Sequence, residues 1–136
     1  YLGLATFIAQ FSASISTNIK MQQSPIFSKT YDFLLWLLPL TAKFPRQQRF
    51  VLASTLQQDG LKFQEYLIEA VHKKGDITPL QAADIELDKL RTHLRMSRDL
   101  KLITPSQYEH AARMLVEIGK LLGGWQKKMM QGNSQP

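Results

Sequence analysis

Residues 53–73 read ASTLQQDGLKFQEYLIEAVHK, and in them Ala53, Leu56, Gly60, Phe63, Leu67 and Ala70 recur at alternating spacings of three and four. An α-helix turns once in 3.6 residues, so positions spaced this way stack into one apolar stripe. A half-buried strand would instead alternate polar and apolar residues, and the chain has no such run. The stretch is therefore the inner face of an amphipathic helix that needs partners to cover it.

Those partners lie on either side. Leu80, Ala83, Leu87, Leu90 and Leu94 repeat the spacing, as do Tyr108, Ala111, Leu115, Ile118, Leu122 and Trp125. Punctuation separates the segments. Phe44-Pro45-Arg46 closes one helix and opens the next, because the residue before a proline is pushed out of the α region. Gly75-Asp76 marks a turn. Thr78-Pro79 and Thr104-Pro105 each place an N-cap residue before a proline at the first helical position. The expected helices are 27–43, 47–73, 78–100 and 105–128. Short links between long helices favour antiparallel neighbours. The predicted fold is all-α, an antiparallel up-down four-helix bundle over residues 21–130, with a flexible tail at 131–136.

Two segments depart from this pattern. Residues 1–20 are apolar at first and then small and polar, with no basic leader and too little length to span a membrane. They are expected to be a non-native or mis-annotated extension outside the fold. In 33–38, FLLWLL, the chain is apolar all the way round. A bundle helix needs one apolar face, so a second face is expected to meet another copy. Phe33, Leu34, Trp36 and Leu37 are the predicted interface of a homo-oligomer, and Pro39 is expected to kink this helix near its end.

The 136 residues suit one domain able to bury a core unaided. Absence of cysteine removes disulfides, thiolate metal sites and cysteine nucleophiles, and fits a cytoplasmic location. His72, His93 and His110 are isolated in sequence and expected to be solvated or partly exposed. No serine sits in a nucleophile elbow, and Gly123-Gly124 lacks the surroundings of a phosphate loop. Asp84 and Asp88 share a face one turn apart and can pair with Arg91. The chain is read as a non-enzyme without cofactor or metal.

The seventeen Lys and Arg outnumber the eleven Asp and Glu, giving a formal charge of +6 and favouring polyanionic partners. Arg91, Arg95 and Arg98, at spacings of four and three, project from one helix face, with Lys89 beside them and Lys101 following. Guanidinium forks at one-turn spacing suit phosphate oxygens. A solvated polar face accounts for the same spacing equally well. Arg46 and Arg49, with Lys43, form a second cluster, and Lys120, Lys127 and Lys128 a third that the helix dipole explains. Trp36, Phe50, Phe63 and Trp125 fall on apolar stripes and are expected in the core, which leaves no stacking platform for bases.

Leu37-Leu38-Pro39 after Tyr31, Phe44-Pro45-Arg46, Arg49-Phe50, Ala83-Asp84, the LRxxLR of Leu90 to Arg95, and IGKLLGGW at 118–125 occur in an order that resembles the bacterial four helix bundle protein family. That family includes proteins encoded in intervening sequences of ribosomal RNA and the accessory variability determinant of diversity-generating retroelements. The sequence looks closer to the second branch. The resemblance implies a pentameric barrel that binds RNA or DNA and a reverse transcriptase, supports mutagenic copying of a template RNA, and has no catalytic residues or membrane partner. It ties partner binding to Arg91 and Arg95. The alternative it leaves is a freestanding nucleic-acid-binding bundle of the intervening-sequence type.

Overall fold

The computed structural model describes residues 2–136; Tyr1, the first residue of the expected extension, lies outside them. The chain forms α1 (Leu2–Gln23), α2 (Pro25–Ala42), the short turn α3 (Arg46–Gln48), a π-helical turn (Arg49–Ala53), α4 (Ser54–His72), α5 (Thr78–Asp99) and α6 (Pro105–Met130). No strand occurs among the described residues.

The core lies between α2, α4, α5 and α6. Contacts α4·α5, α5·α6, α2·α4 and α2·α6 close a ring around it. Every one of these pairs runs antiparallel. Phe27 meets Trp125, Lys29 meets Glu117 and Trp36 meets His110, so α2 and α6 run oppositely. Gln126 reaches the carbonyl of Leu80, while Arg98 lies over Tyr108. Gln57 Nε2 donates to Thr41 Oγ1, and a Cβ on Gly60 would press on Leu34 and Leu37. The predicted stripes are the buried ones: Leu56, Phe63, Leu67, Leu80, Leu87, Leu94, Leu115 and Leu122 are all core.

The helix starts are built from different atoms at the two Thr-Pro sites. At α6, the Thr104 hydroxyl accepts from the Gln107 N–H and the Gln107 side chain accepts from the Thr104 N–H, a complete capping box. At α5, Thr78 is the first helical residue rather than the cap, and the Asp76 carboxylate two residues before it accepts from both its N–H and its hydroxyl. Those bonds, the backbone one foremost, hold Asp76 below the ordinary carboxylate range.

The structure corrects the expected interface. Phe33, Leu34 and Leu37 are buried within the chain itself, against α4 and α6, and so are not available to a second copy. The all-round apolar helix is mostly wrapped because α4 and α6 both press on it. What it leaves outside is Tyr31 and Leu35, with Trp36 half-buried. Pro39 falls in the last turns of α2, which continues past it to Ala42.

Residues 2–23 form one helix. Leu4, Phe7, Ile8, Phe11, Ile15 and Ile19 are all exposed along it, and Met21 near its end packs against the core. At the other terminus, the Trp125 indole N–H donates to the Ser134 carbonyl.

Candidate nucleic-acid interface

The arginine face of α5 lies beside α6, but its members differ. Arg91 Nη1 bonds Asp88 Oδ1 at 3.0 Å, and a Cβ on Gly119 would stand 2.6 Å from Arg91 Nη2. The guanidinium tip therefore rests against the α6 backbone at Gly119. Arg98 stacks 4.4 Å from the Tyr108 ring centroid and bonds Asp99 at 2.9 Å. Such a cation over an aromatic face is held in place on both sides. Arg95 is exposed and has no acidic partner among the described residues. Asp84, expected beside Arg91, is exposed and takes no part in that pair.

Lys89 points the other way, toward α4. Its Nζ bonds Glu86 Oε1 at 3.0 Å, and that hydrogen bond and charge raise its pKa. Glu86 is only 4% exposed, and its Oε2 has no partner. Lys89 thus serves a buried carboxylate and adds no net charge to the arginine face.

Lys101 does not continue that face. The helix ends at Asp99, and Lys101 has φ 59°, in the left-handed region. The N–H of Leu102 bonds the Ser97 carbonyl and that of Lys101 the Arg98 carbonyl, the Schellman arrangement that favours glycine at this position. The end of α6 uses the same bonds with Gly132 at φ 87°. Replacing Lys101 with Gly should accordingly raise stability by about 0.5–1 kcal/mol. A lower melting temperature for the variant would mean that the lysine side chain, not the turn, holds this corner.

The second cluster sits where α2 turns into α4. Arg49 Nε donates to the Phe44 carbonyl at 3.0 Å, and Lys43, Arg46 and Arg49 are exposed without acidic partners among the described residues. The antiparallel packing brings this corner to the same end of the bundle as Arg95, Arg98 and Lys101. The register is fixed by His93 of α5, which meets Asp59 in the second turn of α4. Acids at this end are already engaged: Asp59 with His93, Asp99 with Arg98, Glu109 with Arg113. Two clusters far apart in sequence thus give one end of the molecule a surplus of uncommitted cations.

Two features here were not foreseen. One is the Asp59–His93 pair, 2.6 Å between Oδ2 and Nδ1, with Asp59 almost wholly buried. A carboxylate one residue before the stripe glycine, facing a histidine of the next helix, carries no motif. The other is Phe50. It was expected in the core, three residues before Ala53 on the same stripe, yet it is 80% exposed. The reason is the π turn, in which the Ser54 N–H bonds back five residues to Arg49. A wider turn shifts the residues before it off the α-helical stripe, so Leu52 and Ala53 go inward and Phe50 and Val51 outward.

No group of three or more His, Cys, Asp or Glu is placed to hold a metal ion among the described residues. None of the described helices is long and apolar enough to cross a membrane. What the geometry defines is a helical bundle with a cationic end. The chain belongs to the bAvd-like family, the accessory variability determinants of diversity-generating retroelements, whose family model matches residues 25–129, from the start of α2 almost to the end of α6. This is a family of accessory, non-catalytic proteins. No curated protein matches the chain by sequence. Helix α1 lies before the matched segment.

Proposed function

We propose that the chain is a non-catalytic accessory subunit that binds RNA or DNA through its cationic end, associates with a reverse transcriptase, and so supports mutagenic copying of a template RNA. The observation that carries this reading is the convergence of Lys43, Arg46, Arg49, Arg95 and Lys101 on one end of the bundle without matching acids. Family membership supplies the retroelement setting. The protein works as a homo-oligomer, a pentamer by family resemblance, through the apolar surface that α2 leaves outside at Tyr31, Leu35 and the open edge of Trp36. A ring would repeat the cationic end in every copy, so that weak single contacts add.

Fluorescence anisotropy with a short RNA, over a salt series, tests the binding. Affinity should fall steeply and log-linearly with salt, since each neutralised phosphate releases counterions. Light scattering on the same preparation should give a mass several times the 15.6 kDa of one chain. Salt-independent binding, or none, would remove the cationic end as the functional surface, and a monomer at micromolar concentration would remove the assembly.

A further inference from the structure

We infer that Phe50, displayed by the π turn among Lys43, Arg46 and Arg49, is a stacking platform for the unpaired bases of a single-stranded nucleic acid. The inference rests on the nucleic-acid-binding reading above and narrows it to a strand type and a contact.

The argument begins with the cost of the exposure. A single exposed apolar residue is ordinary, but Phe50 and Val51 are adjacent, 80% and 64% exposed, and pushed outward by a rare helical form. The charge along this segment of the chain is of one sign. From residue 33 to residue 58 the sequence holds Lys43, Arg46 and Arg49 and no acid. Hydrogen bonding of Arg49 to the Phe44 carbonyl fixes its guanidinium beside this turn while leaving its charge unpaired.

An exposed apolar ring on a segment whose charges are all cationic fits a ligand that is both anionic and flat-faced. A nucleic-acid strand is such a ligand: phosphates for the cations, base faces for the ring. In a duplex the base faces are buried in the stack, so Phe50 distinguishes single strands from duplexes, which the cations alone do not. Stacking tolerates any base, so the contact adds affinity with little sequence preference. A protein partner for the same patch would have to bring its own acids, and a second copy of this chain would set like charges against each other.

The test uses the full chain with Phe50→Ala, Phe50→Trp and the double variant Arg46→Ala/Arg49→Ala. The probes are a fluorescein-labelled single-stranded RNA of mixed sequence and the same RNA annealed to its complement. Phe50→Ala should weaken single-strand binding roughly 5- to 100-fold, with an unchanged salt slope and little effect on the duplex. The arginine variant should weaken both probes and flatten the salt slope. Phe50→Trp should keep single-strand affinity, and its added emission should be quenched by the single strand and not by the duplex. Should Phe50→Ala misfold, the Phe50→Trp quenching decides alone. Wild-type affinity in Phe50→Ala, or absent quenching in Phe50→Trp, overturns the stacking contact while leaving cationic binding intact. A change of native mass in Phe50→Ala overturns it by assigning the residue to contact between copies. If the unaltered protein binds neither RNA, the binding reading fails and this inference with it.

Discussion

Replacing His93 with Ala should lower the unfolding free energy by about 2–3 kcal/mol, a large share of the stability of a small domain. The His93 ring touches Asp59 Oδ2 at 2.6 Å, and Asp59 is 6% exposed, between Leu56 and Phe63 on the inner side of α4. Removing the ring leaves a buried carboxylate without its partner, and that desolvation is what destabilises. The upper part of the range for a buried pair is not reached, because the His93 side chain is 25% exposed and water can enter where it was. Asp59→Ala should cost less, since it leaves behind a ring that can turn to solvent. A double-mutant cycle in urea isolates the coupling. Additive losses would show that the contact contributes nothing. His93 thus ties α4 to α5.

The helix stripes, the antiparallel order and the Thr104 N-cap could be read from the sequence because each is a local pattern that tertiary packing then uses unchanged. Leu56, Phe63 and Leu67 are core for the same reason that they are periodic. Three kinds of feature could not be read this way. Phe50 obeys α-helical spacing, but the backbone at Arg49–Ala53 does not, and one extra residue in a turn is invisible to a periodicity count. Lys101 sits where a glycine would announce the helix end, so the face of Arg91, Arg95 and Arg98 looked longer than it is. Phe33, Leu34 and Leu37 were assigned outward because six consecutive apolar residues exceed one face, yet two neighbouring helices cover most of them. For the cationic site, charge type was legible and pairing was not. Arg91, Arg95 and Arg98 are equivalent in spacing, and only the positions of Asp88, Gly119, Tyr108 and Asp99 separate them.

That separation leads to a second large effect. The triple variant Arg46→Ala/Arg49→Ala/Arg95→Ala should bind RNA about 10- to 100-fold more weakly near physiological salt, and its log-log salt slope should fall by about 2 to 3. Each of these guanidinium groups is exposed and free of an acid among the described residues, so its charge is available to a phosphate without first breaking an ion pair. Folding stability should change by only about 0.5 kcal/mol per site, as surface changes do, apart from the one backbone hydrogen bond that Arg49 gives to Phe44. Arg91→Ala supplies the contrast. Its guanidinium is committed to Asp88 and laid on Gly119, so its loss should loosen α5 from α6 while reducing RNA affinity less than Arg95→Ala does. The resemblance joins Arg91 and Arg95 in one role, whereas the packing sets the first against Asp88 and Gly119 and leaves the second exposed. Anisotropy titrations and thermal melts on matched preparations of the two single variants distinguish these roles. Equal losses of RNA affinity from Arg91→Ala and Arg95→Ala, with unchanged melting in both, would return the two arginines to a single binding surface and show that the Asp88 pair opens when the nucleic acid arrives.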